Sequence, residues 1–115
     1  MATNWSDDIV ITELSDEPAL SEELSGIIDR LAGAGDDDVP HVVMNFTSVS
    51  YVNSSNLAQL IKIRKLLDMK GRILVLCSVD TEVKSVFKVT GLEKLFRFAP
   101  DPMTALAGVQ IEMGG

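Results

Sequence analysis

The chain has 115 residues, 46% of them hydrophobic, with 17 acidic against 10 basic side chains and a formal charge of −7. That size suits one domain around one core, and the lone Cys77 excludes an internal disulfide framework or a multi-cysteine metal site, in keeping with a reducing cytoplasm. The opening MATNWSDDIV lacks the apolar segment of a secretory leader, and no apolar run approaches the roughly 18 residues of a membrane span, so a soluble protein is expected.

Ile9 to Leu14 is a short β-prone run. Pro18 then stands where a first helical turn tolerates it, and Leu20, Leu24, Ile27, Ile28 and Leu31 form the stripe of an amphipathic helix that Gly33 and Gly35 would end. Asp36, Asp37, Asp38 and Pro40 read as a solvated turn before His41 to Phe46, a mostly apolar run of strand length. A loop from Thr47 to Val52 leads to Asn53-Ser54-Ser55-Asn56, rich in helix-capping residues, and a second helical stripe: Leu57, Leu60, Ile61, Arg64 and Leu67, widened by Ile63 and Leu66. Gly71 stops that helix, and Arg72 to Cys77 follows as a buried strand. Asp80 or Thr81 caps a third helix carrying Val83, Val86 and Phe87, closed by Gly91. Leu95 to Ala99 is a weaker strand, and Asp101-Pro102 opens a short last helix through Leu106, with Gly108 as its stop.

Strands alternating with helices predict an α/β domain with a mixed, mostly parallel sheet, because helical crossovers join parallel neighbours. Central strands apolar on both faces fit burial between helical layers. In such sheets ligands and partners meet the loops that leave the strand ends, and the segment from Phe46 to Leu57 has that position.

Charge is uneven. The first 40 residues hold eleven acids and only Arg30, while the other 75 hold six acids and nine bases, five of these between Lys62 and Arg72. That basic stretch reads as a solvated helix face. Tyr51 and Trp5 lie far from it, so the interleaved aromatics of a nucleic-acid surface are missing, and the overall acidity opposes affinity for DNA or anionic membranes. Trp5 either anchors the amino-terminal arm or lies exposed.

From about Val42 to Phe96 the chain resembles the STAS domain of bacterial anti-sigma factor antagonists. The family's Asp-Ser-Ser/Thr-Gly-Leu at a helix start corresponds to Asn53-Ser54-Ser55-Asn56-Leu57, and Lys70 to Cys77 and Val89-Thr90-Gly91-Leu92 look like its later strand and helix-ending Thr-Gly-Leu. Asn53 replaces the family's Asp, Asn56 its Gly, and the amino-terminal part is abbreviated. The resemblance implies one STAS-like domain over residues 1–115 that binds a protein both anti-sigma factor and serine kinase. It also implies phosphorylation at Ser54, with the unphosphorylated form binding the kinase and the phosphorylated form released. Ser55 is then the expected structural cap.

A serine at a helix start lies beside unpaired backbone N–H groups and the positive end of the helix dipole, which tolerate an added phosphate. Phosphorylation adds about −1.5 to −2 charges, so it can leave the fold intact while opposing a packed interface. Candidate partner contacts are Val49, Tyr51, Val52, Asn53, Ser54, Ser55, Asn56 and the exposed face around Gln59. Val49, Tyr51 and Val52 either supply apolar contact to a partner or pack beneath the helix.

Catalysis has little support in the sequence. His41 reads as an ordinary residue at a strand entrance, Cys77 as a buried apolar filler, and no nucleophile elbow, phosphate-binding loop, metal-ligand spacing or cofactor motif is present. The expectation is therefore a kinase substrate and ligand, not an enzyme. Two alternatives remain: a STAS subunit of a larger assembly, stressosome-like or lipid-transporting, that does not switch at Ser54; or a module binding a nucleotide or other anion at the helix start.

Overall fold

The computed structural model describes residues 3–4 and 8–114. Trp5 lies outside them. Five strands form one sheet in the order β1-β2-β3-β4-β5: β1 (Thr3–Asn4), β2 (Ile9–Ser15), β3 (His41–Ser48), β4 (Leu74–Cys77) and β5 (Arg97–Ala99). β2 to β5 run parallel, and β1 pairs antiparallel on the outer side of β2. Helices α1 (Ala19–Gly33), α2 (Ser54–Met69) and α3 (Thr81–Val89) join the parallel strands, and α4 (Pro102–Gly114) follows β5. The sheet is thus the mixed, mostly parallel α/β architecture that the alternating periodicities predict.

Side-chain alternation divides the core between the two faces. Val42 and Met44 of β3 and Leu74 and Leu76 of β4 join Leu20, Leu24, Ile27 and Leu31 of α1, Leu57, Leu60, Ile63 and Leu67 of α2, and Val83 and Phe87 of α3. The alternate residues Val43, Val75 and Cys77 meet Ala105 and Val109 of α4 on the opposite face. Three helices on one side and one on the other explain why β3 and β4 read as continuous apolar runs rather than alternating ones. Phe87 stands edge-on to both Phe96 and Phe98, with centroids 5.5 Å apart, anchoring α3 to the β5 edge.

β2 and β3 run on to Ser15 and Ser48, beyond the Leu14 and Phe46 of the sequence reading, and three further boundaries differ for a local reason. β4 begins at Leu74 rather than Arg72, because the Ile73 N–H donates to His41 Nδ1 at 2.9 Å instead of to a strand carbonyl. β5 begins at Arg97 rather than Leu95, because Glu93–Leu95 close a short 3₁₀ turn. Gly108 does not stop α4, which continues to Gly114, since Val109 must pack under the sheet and is 1% exposed. Gly71 and Gly91 do terminate α2 and α3, with φ of +68° and +77° that side-chain-bearing residues rarely adopt.

Candidate functional site

The loops leaving the carboxyl ends of β2 and β3 converge around the start of α2. Asn53 is the residue that caps it: its Oδ1 accepts the Asn56 N–H at 2.8 Å, and Asn56 Oδ1 accepts the Asn53 N–H at 3.0 Å. This reciprocal pair satisfies two otherwise unpartnered donors. Ser55 is therefore not the cap, contrary to the expectation, because the Asn53 side chain already occupies that role. Ser54 and Ser55 fill the first two helical positions, and both are exposed. The first turn carries no acidic residue, so no fixed negative charge on it opposes an added anion.

Two carboxylates from the loop after β2 hold this corner. Asp16 accepts the Ser50 N–H at 2.8 Å and the Ser50 hydroxyl at 2.7 Å, tying the two loops together. These bonds from Ser50, the hydroxyl first, hold the Asp16 carboxyl below its ordinary range. Glu17 accepts the Ser21 N–H through Oε1 at 2.6 Å and the Asn56 amide through Oε2 at 3.2 Å. It too is held below the ordinary range, chiefly by the Ser21 backbone bond. Gln59 donates from Nε2 to the Ser21 carbonyl at 3.1 Å and the Ser25 hydroxyl at 3.0 Å, fastening α2 to α1.

Burial separates the candidate contact residues into two groups. Tyr51, Asn53, Ser54 and Ser55 are on the surface, and Tyr51 is 51% exposed. Val49 and Val52, at 2% and 8% exposed, belong to the core, so they pack beneath the helix and are not free apolar contacts. Asn56 is fully buried. The Gln59 side chain is half-buried and engaged with α1, which removes it from an exposed recognition face. The surface that remains is a small patch of one aromatic ring, one amide and two hydroxyls. Asp16 and Glu17 were missed as parts of the site. Their position at the end of a parallel strand could have revealed them, since such strand ends share one edge of the sheet.

Elsewhere the chemistry is sparse. Burial pushes the Cys77 thiol up and keeps it protonated, which suits a core filler. His41 is half-buried, with Nδ1 committed to Ile73; burial first, then Arg72, lowers its pKa. Asp36–Asp38 form a 3₁₀ turn, with Asp37 and Asp38 exposed. Among the described residues no cluster of three potential metal ligands occurs, and no helix is long and apolar enough to cross a membrane.

Comparison with known proteins converges on one fold. The family profile described as STAS domain matches residues 7–105. Moorella thermoacetica RsbS superposes with a TM-score of 0.80 at 16% identity, covering 99% of this chain and 97% of its own. An anti-sigma-factor antagonist domain protein of Planctomyces limnophilus gives 0.79 at 16% identity, with 95% and 97% covered. Bacillus SpoIIAA in its phosphorylated form gives 0.67 at 18% identity, with 94% and 99% covered. At these identities the structural likeness is one of fold.

Proposed function

The chain belongs to the STAS domain family, and from that premise we propose that it is an anti-sigma factor antagonist-like binding module, switched by phosphorylation of Ser54. Its partner is a protein that combines anti-sigma factor and serine kinase activities. The unphosphorylated loop binds the kinase, the kinase transfers the terminal phosphoryl group of ATP to Ser54 Oγ, and the modified protein leaves. The module itself is a ligand and a substrate, with no catalytic side chain of its own.

The observation that carries this reading is the exposure of Ser54 at the first position of a helix whose cap is supplied by a different residue, Asn53. Because Ser54 does not hold the helix start together, its modification changes surface charge without dismantling the cap. A phosphate there gains from the helix dipole, yet imposes a strongly solvated charge on any partner packed over Tyr51 and Asn53. Intact-mass and phosphosite mapping of the protein purified from its host tests the reading. Modification at Ser54, abolished by Ser54→Ala, is expected; modification confined to Ser55 would sink it.

A second reading is favoured by one feature. Asn53 and Asn56 stand where the family pattern has Asp and Gly, and Asn56 is buried and held by Glu17. A helix start whose own residues are uncharged, with its capping amide already engaged by Glu17, suits a STAS subunit of a larger assembly that does not switch. Partner binding would then be indifferent to Ser54→Glu.

A further inference from the structure

His41 opens β3 and holds two neighbouring segments at once. Its backbone N–H donates to the Asp8 carbonyl at 2.9 Å, and its Nδ1 accepts the Ile73 N–H at 2.9 Å. The second bond requires the neutral tautomer with its proton on Nε2. The ring borders an open cavity of about 790 Å³ at the amino edge of the sheet, whose charged lining is Asp8, Asp37, Arg72 and Glu112. Asp8 precedes β2, Asp37 lies in the 3₁₀ turn before β3, Arg72 enters β4, and Glu112, which also pairs with Arg97, belongs to the end of α4.

We propose that His41 is a proton-operated latch on the segment entering β4: the neutral imidazole clasps Ile73 to β3, and the imidazolium releases it and turns into the cavity. Protonation places hydrogens on both ring nitrogens, so Nδ1 changes from acceptor to donor and meets the Ile73 N–H donor to donor. The new charge also repels Arg72, the residue before Ile73, while the Asp8 and Glu112 carboxylates attract it. Burial and Arg72 oppose protonation, so the latch opens below the ordinary histidine range and is closed at neutral pH.

The release is local, because the neighbouring bonds do not titrate. The Ile73 carbonyl still accepts the Val42 N–H at 2.9 Å, the Arg72 N–H donates to the Leu67 carbonyl at 2.9 Å, and Arg72 Nε donates to the Val39 carbonyl at 2.6 Å. β4 from Leu74 onward keeps its register with β3. The freed N–H faces the open cavity, where water replaces the imidazole as its acceptor.

NMR of the full chain with labelled imidazole and amide nitrogens, from about pH 7.5 to about pH 5, tests the latch. The His41 ring nitrogens and the Ile73 amide are expected to titrate with one midpoint. Exchange protection at Ile73, corrected for the intrinsic rate, should fall about tenfold or more through that midpoint, and protection at Val43 and Val75 should change less than about twofold. In His41→Asn, whose Oδ1 can accept the Ile73 N–H, protection at Ile73 should stay flat across the range. Asp8→Asn/Glu112→Gln should lower the midpoint, because the carboxylates that draw the imidazolium out are gone. An Ile73 amide that keeps its shift and protection while His41 titrates would overturn the proposal, as would the same pH dependence in His41→Asn or an unmoved midpoint in the double variant.

Discussion

Asn53 and Ser55 are close neighbours with opposite energetic roles. Asn53→Ala removes the capping acceptor of α2 and is expected to cost about 1 kcal/mol in urea unfolding. Ser55→Ala and Ser54→Ala, at exposed positions, should stay within about 0.5 kcal/mol of the parent. Ser55 as the cap would give the reverse order. Asn56→Ala is also expected to destabilise, because it removes the reciprocal half of the cap and truncates a buried side chain. The Asn-Ser-Ser-Asn run was legible as a helix start, but its division of labour was not: propensity ranks Asn and Ser as nearly equal caps. Only the path of the chain into α2 decides between them.

His41 carries a pH dependence whose sign follows from its contacts. Its folded pKa lies below the ordinary 6.5, with burial and Arg72 lowering it and Asp8 and Glu112 opposing them. The unfolded chain therefore takes up a proton at a pH where the folded chain does not. Stability is full above about pH 6.5, declines as pH falls toward the folded value, and levels off below it. His41→Asn, whose Oδ1 can accept the Ile73 N–H, should abolish this branch in denaturant midpoints measured across pH 7.5 to 5. Asp16 and Glu17 act in the same sense at lower pH. Their contributions are present above the ordinary carboxylate values of 3.8 and 4.5 and are lost as pH falls through the lower folded ones, so a second decline should persist in His41→Asn.

At the scale of elements, the order of strands and helices was readable because each helix keeps a 3.6-residue stripe and each central strand a continuous apolar run. The misreadings fall where a tertiary partner overrides a local signal. Gly108 has the composition of a helix stop, yet Val109 and Ala105 hold α4 against β3 and β4 through it. A Cβ at Gly108 would meet nothing within 4 Å, so Gly108→Ala should stabilise the protein by about 0.5–1 kcal/mol, seen as a raised Tm. β1 escaped the sequence reading altogether, since two residues carry no usable period. Val49 and Val52 looked available because they sit in a loop. Burial beneath α2 is set by how that loop folds back, a property no five-residue window contains.

Over the whole molecule, the carboxyl ends of β2 and β3 bring the candidate contact residues together at the start of α2. α2 runs away from this corner, with Ser54 at its first position. The long-range bonds from Glu17 to Asn56 and from Gln59 to Ser21, 39 and 38 residues apart in sequence, brace the α2 start against α1. Ser54→Glu should therefore leave unfolding stability within about 0.5 kcal/mol of the parent, because the brace and cap lie on other side chains. Any change in partner binding would then report the surface rather than the fold.

The decisive measurement is partner capture from host lysate with the parent protein and Ser54→Glu as baits, read by quantitative mass spectrometry. A phospho-switch at Ser54 predicts a serine kinase with anti-sigma factor activity on the parent bait and its loss, by tenfold or more, on Ser54→Glu. Equal retention of one partner by both baits would contradict the switch and identify a STAS subunit whose assembly ignores Ser54.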